Sequence, residues 1–323
     1  MALRDIRELA DANATDTSTT QISEVQGEKW LSELLKIGEN ITAFENYITV
    51  NTSLIGKGDD SISIPITNAH LTMTAVTAEN TERTWTELTN LDTVKFTPTW
   101  SKYGVTISKE IDRTSRVDLV KHGRFSLAED IAQVKDTAIA TALQGAAVTQ
   151  RVYGGDATGP DDLAAGDKLT TDLIADARKK IRASNFVPDA LFIRAEQEGE
   201  LLKDGQFVDA SEFGSGEIVK SGQIGRYLGM DVIVTEQTPT YAGTETDINE
   251  NTKAWAVAGD CCIMTAKNKA GQKAAAGIAY KEKPTLDYWY NKNKAQHEIY
   301  LDVCYQAKLL QPKAVCLLKV ANA

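Results

Sequence analysis

The chain has little of what catalytic and metal centres are made from. Its three histidines, His70, His122 and His297, are spread over 323 residues and fall in separate predicted elements. His297-Glu298 lacks the second histidine of a zinc-binding H-E-x-x-H helix. The four cysteines, Cys261, Cys262, Cys304 and Cys316, form no C-x-x-C pair, and adjacent Cys261 and Cys262 are too close for tetrahedral zinc. Buried free thiols are expected instead. There is no G-x-S-x-G elbow and no phosphate-binding loop, and Gly214, Gly216, Gly222, Gly225 and Gly229 never fall into G-x-G-x-x-G. Gly58-Asp59-Asp60 and Gly154-Gly155-Asp156 read as turns rather than cation sites. No catalytic, cofactor-binding or metal-binding residue is therefore assigned, no cofactor is expected, and the expectation is a protein that is not an enzyme.

Other absences narrow the class. The seven prolines are scattered, so no Pro-rich linker divides the chain. No apolar run approaches the ~20 residues that span a bilayer, so no membrane partner is expected. The first twenty residues contain no apolar signal core, and synthesis in the cytoplasm is the expectation. The net charge is -10, which argues against a protein whose main task is gripping nucleic acid.

What is present is an ordinary soluble composition, 42% hydrophobic and 25% charged, in a chain long enough for one large core or two modest ones. Residues 1–20 are polar, with one amphipathic turn at Leu3, Ile6, Leu9 and Ala10, and read as an arm. Residues 28–38 form a short amphipathic helix ending at Gly38. Ile62, Ile64 and Ile66 alternate as a strand. Residues 67–96 are rich in Thr, Val and Trp but lack a sustained apolar face. A hairpin that long is not stable alone in water and needs a partner surface.

A returning strand is predicted over 99–111, then a long helix over about 124–148. Ser126-Leu127-Ala128-Glu129 serves as its capping box, and Leu127, Ile131, Val134, Ala138 and Ala142 form its apolar side. A second helix spans 171–183 with Leu173, Ile174, Ala177 and Ile181 inward, and a strand (186–195) and a short helix (196–202) follow. Gly222, Gly225 and Gly229 read as a tight loop feeding a strand at Asp231–Thr235, buried on both faces and stopped by Pro239. Long strands are expected at 277–290 and 297–320, the latter crossing Pro312.

The run Gln223-Ile224-Gly225-Arg226-Tyr227-Leu228-Gly229-Met230-Asp231-Val232 resembles the Gly-Ile/Leu-Gly-x-x-x-Gly-hydrophobic-Val pattern of the major capsid proteins of tailed viruses, which have the Hong Kong 97-type fold. The resemblance runs from about residue 20 to the C-terminus and rests on the order of the elements. It implies an α+β fold with four parts: an N-terminal arm with a short helix (1–48), an extended loop (49–100, hairpin about 67–96), a peripheral domain with a spine helix (101–153 and 284–323), and an α/β axial domain (154–283). In the family the closing strand after Pro-x-Ala-Val pairs beneath the spine helix. The resemblance implies a subunit that self-assembles into hexamers and pentamers of an icosahedral head, with portal, scaffolding and decoration proteins as further partners. Packaged double-stranded DNA would be held without sequence-specific binding, in keeping with the acidic charge. The expected location is the virion. The rival readings are an encapsulin-like nanocompartment and a cytosolic α/β enzyme.

Charge placement suggests how copies meet. The loop carries Glu79, Glu82, Glu87 and Asp92, and the segment entering the spine helix carries Arg113, Arg116, Lys121 and Arg124. The expectation is that the acidic loop of one subunit docks on the basic segment of its neighbour. Lys95 is the only lysine within 67–96 and sits at the hairpin's base, so the lysine–asparagine cross-link of some family members is not carried over. The arm begins at Met1 and is short, so a separate scaffolding protein, or none, is expected.

Overall fold

The structure is a computed structural model that describes residues 42–67, 91–115, 117–203, 225–246 and 252–322. The expectations for residues 1–38 and for the hairpin body at 68–90 lie outside the described residues. In chain order the elements are β1 (Thr49–Asn51), β2 (Ile62–Thr67), β3 (Leu91–Phe96), β4 (Thr99–Ser108), α1 (Lys109–Thr114), α2 (Leu119–Leu143), β5 (Arg151–Tyr153), α3 (Thr171–Ala183), β6 (Val187–Ile193) and α4 (Ala195–Lys203). Then come β7 (Arg226–Tyr227), β8 (Met230–Val234), β9 (Thr240–Tyr241), β10 (Thr244–Thr246), β11 (Thr252–Ala254), β12 (Gly259–Lys267), β13 (Ala276–Asn291), β14 (Gln296–Leu309) and β15 (Val315–Ala321). Among the described residues the chain forms two compact units. One holds Ser101–Ile131 and Pro284–Val303, the other Thr42–Trp100, Ala132–Lys283 and the C-terminal stretch from Cys304.

The larger unit is built on a seven-stranded sheet in the order β5-β15-β12-β6-β8-β7, with β9 also on β12. Strands covered on both faces read as continuous apolar runs. That is what β12 and β15 are: Gly259–Ala266 and all of β15 are buried. Helix α3 covers one face. Its predicted bounds, 171–183, coincide with the observed ones, because Thr170 caps it by accepting from the Leu173 N–H at 3.3 Å. Leu173, Ile174, Ala177 and Ile181 are buried, as their spacing requires, in one core with Leu191, Met264, Cys316 and Leu318. Strands β6 and β8 run parallel, with α4 in the crossover between them. All four cysteines are buried and unpaired, as expected.

The smaller unit holds most of β4, helix α1, the first half of α2 and the outer halves of β13 and β14. Ile299, Leu301, Val303, Leu127 and Ile131 are buried. Gly123 lets α2 come close: a Cβ there would stand 3.0 Å from Ile299 Cδ1 and 3.5 Å from Ile107 Cδ1. Strands β1, β13, β14 and β4 lie side by side in that order. β2 and β3 form the antiparallel stem of the predicted hairpin, with Ile62 opposite Phe96 and Ile64 opposite Val94.

Several sequence expectations are corrected. The spine helix runs from Leu119 to Leu143, not 124–148. Its cap is Asp118, whose Oδ1 accepts from the Lys121 N–H at 2.9 Å, and Ser126 lies inside the helix. The returning strand ends at Ser108, whose Oγ caps α1 by accepting from Glu110 N–H, so residues 109–111 are helical. The 297–320 strand is two strands, interrupted by a 3-10 turn at Pro312–Ala314, because Pro312 has no N–H for a ladder. The closing strand β15 pairs antiparallel with β12 and parallel with β5 in the seven-stranded sheet.

The glycine-rich run is also different in kind. It is a β-hairpin, not a loop feeding a doubly buried strand. Leu228 (φ 50°) and Gly229 (φ 80°) are the two turn residues between β7 and β8, with Tyr227 opposite Met230 and Arg226 opposite Asp231. Two consecutive positive φ values fit a type I′ turn, the connection that matches the twist of paired strands. Arg226 Nε and Asp231 Oδ1 lie 2.9 Å apart across it. β8 buries Met230 and Val232 but exposes Val234, and it ends there, well before Pro239. Leucine is strained at positive φ and glycine is not. Gly229→Ala is therefore expected to lower stability by about 1 kcal/mol, and Leu228→Asn to raise it by a few tenths, as read by urea unfolding.

Candidate functional site

The described surface offers shallow grooves rather than a reaction pocket. One, of about 470 Å³, is lined by Gln133, Val134, Thr137, Ala138 and Thr141 of α2. Another, of about 340 Å³, is lined by Val152 of β5 and by Asp176, Lys179, Lys180 and Ala183 of α3. Neither lining contains a nucleophile beside a general base. Among the described residues no group of three His, Cys, Asp or Glu side chains is placed to hold a metal ion.

The charged groups that are buried act as fasteners. Lys319, central in apolar β15, contacts the Glu245 carboxylate, and Arg151 Nη1 reaches the same oxygen at 2.9 Å. The Lys319 ammonium lies 4.2 Å from the Tyr241 ring centroid and 5.6 Å from that of Trp255, and these two rings stack 5.3 Å apart. Burial, and then the Arg151 charge, push Lys319 down to about 6. Trp255 lies directly on Gly259, where a Cβ would meet Trp255 Cζ3 at 2.5 Å. The cluster thus ties the β10–β11 ribbon to the sheet.

A second set fastens the segment that follows the arm. Phe44 is fully buried and stacks on Phe192 at 4.2 Å. The Ala43 N–H donates to Asp136 Oδ2 at 2.6 Å, Lys135 Nζ pairs with Glu45 Oε2 at 3.0 Å, and Tyr280 OH donates to Glu45 Oε1 at 3.1 Å. Burial raises the Asp136 carboxyl, and the backbone N–H groups of Ala43 and Phe44 oppose the rise.

The eight residues predicted to join neighbouring copies divide as follows. Glu79, Glu82, Glu87 and Arg116 lie outside the described residues. Asp92 is exposed on β3, its Oδ1 accepting from Thr93 N–H at 2.7 Å. Arg113 in the last turn of α1 and Lys121 and Arg124 in the first turns of α2 are exposed. These three basic residues belong to the smaller unit and Asp92 to the larger. Sequence reasoning missed what surrounds Arg124. Its guanidinium is 5.0 Å from the Tyr288 ring centroid, Tyr288 Oη is 2.5 Å from His297 Nδ1, and His297 Nε2 is 3.5 Å from Asp112 Oδ2. Lys109 Nζ lies 5.7 Å from the Tyr290 ring. The available signal was the i, i+2 spacing of Tyr288 and Tyr290 on one strand face.

The sequence profile of the family described as phage capsid protein matches residues 91–295, more than half of the chain. The chain belongs to this family. No curated relative matches the sequence. Its fold is similar to that of solved phage capsid chains. A chain of the cyanophage Pam1 capsid aligns with a TM-score of 0.70 at 14% identity, over 93% of this chain and 97% of that one. The cyanophage P-SCSP1u capsid aligns at 0.69 and 16% identity, over 96% and 97%. The Ralstonia phage GP4 capsid aligns at 0.67 and 14% identity, over 92% and 95%. The Hong Kong 97-type α+β fold and a place in the virion capsid follow. Among the described residues no helix is long and apolar enough to cross a membrane.

The buried cluster makes a prediction of its own. Glu245→Gln removes the carboxylate that Lys319 and Arg151 share and should lower stability by about 3 kcal/mol. Lys319→Met in that background replaces the buried amine with an apolar side chain and should restore most of the loss. Urea unfolding of the wild type, the two single variants and the double variant reads the cycle. Strictly additive losses would show that the carboxylate is not what holds the cluster together.

Proposed function

We propose that this chain is the major capsid protein of a tailed virus, self-assembling into hexamers and pentamers of an icosahedral head around double-stranded DNA. The observation that carries the reading is the family match across residues 91–295, a span that includes parts of both compact units. The net charge of -10 suits a wall along which DNA must slide. In this reading the arm and extended loop reach neighbouring copies, the unit holding the first half of α2 takes the peripheral role, and the α/β sheet takes the axial one. Portal, scaffolding and decoration proteins are the further partners.

Expression of the chain alone, followed by size-exclusion chromatography with light scattering and negative-stain imaging, tests the proposal. Closed shells or capsomer rings are expected. A monomer or dimer at all protein concentrations, with or without crowding agents, would count against self-driven assembly. Empty shells are expected of a capsid, and protein-filled shells would favour the nanocompartment reading.

The charge hypothesis refines this picture. Arg113, Lys121 and Arg124 stand exposed on two consecutive helices, with Arg124 over the Tyr288 ring. Each exposed pair contributes under ~1 kcal/mol, so the effect depends on repetition around a ring. Glu79→Lys with Glu82→Lys should block assembly, and adding Arg113→Glu with Arg116→Glu should partly restore it. Normal particles from the first variant would rule the contact out.

A further inference from the structure

The outer half of β13 is strand without protection. β1 covers β13 only at Gly277, Ile278 and Ala279. In the order β1-β13-β14-β4 the rest of that side of β13 has no strand partner among the described residues. Five consecutive residues there, Thr285 to Trp289, are exposed. Side chains of a strand alternate between faces: Thr285, Asp287 and Trp289 stand on the open face beside the edge, whereas Tyr288 on the other face is partly covered by Arg124 and His297. Leu286, Tyr288 and Trp289 are 37%, 41% and 61% exposed.

Sheet edges are normally guarded by lysine, proline, bulges or inward charges. The run Thr285-Leu286-Asp287-Tyr288-Trp289-Tyr290 has one charge and no lysine or proline, and most of it is strong β-former. Lysines stand only at its ends, with Lys283 before it and Lys292 and Lys294 after, all exposed. Such an edge on a solitary protein invites aggregation; on a chain that works as many copies it is a joint.

The occupant that fits is a second copy of this chain. A second copy offers an acidic strand for this lysine-flanked edge, since Asp92 is exposed on β3. Among the described residues that strand belongs to a sheet of two, β2–β3, on which Leu91 is 56% exposed beside Asp92. A two-stranded ribbon is marginal until a third strand joins it. We propose that Pro284–Asn291 is a strand-pairing seam between copies, with Trp289 as the anchor that becomes buried on assembly. The seam rests on the capsid reading above and supplies a backbone contact in addition to the charge pairs.

The test places the photo-crosslinking residue p-benzoylphenylalanine in place of Trp289. Irradiation of assembled particles should join chain to chain, giving dimer and higher bands on a denaturing gel, and irradiation of unassembled chain should not. Well-formed particles with no interchain product, or with a product to a different protein, overturn the seam. As a second arm, Leu286→Lys with Trp289→Lys should cut particle yield about tenfold or more. The unassembled double variant should still unfold in one cooperative thermal transition, which separates a lost seam from a lost fold, since Trp289 is 61% and Leu286 37% exposed. Particle formation equal to wild type overturns the proposal. A wild-type chain that forms no particles at all would remove the shell reading and the seam with it, so the two failures are told apart by the control.

Discussion

The pairing of β12 with β15 is the constraint on which the larger unit depends. Gly259–Thr265 runs antiparallel to Val315–Ala321 in unbroken register. Both strands are buried along this stretch, so every side chain on either face must be apolar or neutralised. The pairing also brings the last strand of the chain to the centre of the sheet. β5 can join only at the outer side of β15, and β6 only at the far side of β12. Helix α3 then has one continuous floor, made from Leu191, Met264, Cys316 and Leu318. Asp260 and Lys319 are the charged exceptions: Arg194 and Gln197 hold Asp260, and Glu245, Arg151, Tyr241 and Trp255 surround Lys319. The cluster's second effect is to tie the β10–β11 ribbon down.

What could be read in the sequence follows from how local each signal is. Helix α3 was legible to the residue because its cap and its apolar stripe lie within the helix itself. The spine helix was displaced by five residues because Ser126 mimics a cap, whereas the true cap, Asp118, precedes a first turn with Lys121 and His122 in it. The glycine-rich hairpin was misread because a leucine occupies a position that asparagine or glycine usually fills. The closing strand was recognised, but its partner was not, since nothing in Val315–Ala321 distinguishes one buried neighbour from another. The surroundings of the basic residues were only partly legible. Runs of charge are visible in a sequence, but the stacking of Arg124 on Tyr288 and the bridge from Asp112 to His297 join residues far apart in the chain.

Polar groups sort into two populations with different consequences. Lys319, Asp136 and Asp260 are buried and held by short, specific contacts, and they fix where peripheral segments attach. Removing one partner from such a group is costly because the remaining charge cannot reach water. Arg113, Lys121 and Arg124 are exposed and individually worth little. A shell subunit needs both kinds. The segment at Ala43–Glu45 must be rigid if the chain before it is to reach a neighbour in a defined direction, and the surfaces that meet must be weak enough to rearrange during assembly.

β13 shows the same division within one strand. Ala276–Tyr280 is buried, paired with β1 and packed beside Phe96 and Leu310. A few residues later the strand exposes Thr285, Asp287 and Trp289 along one face. Its first half belongs to a core that must form before any contact between copies has meaning. Its second half gains its burial only from something outside the chain. The hydrophobic effect rewards that burial in proportion to the apolar area removed from water, so folding and assembly draw on the same force through the two ends of one strand. Separating them along its length lets the subunit fold completely while keeping an apolar surface in reserve for its neighbours.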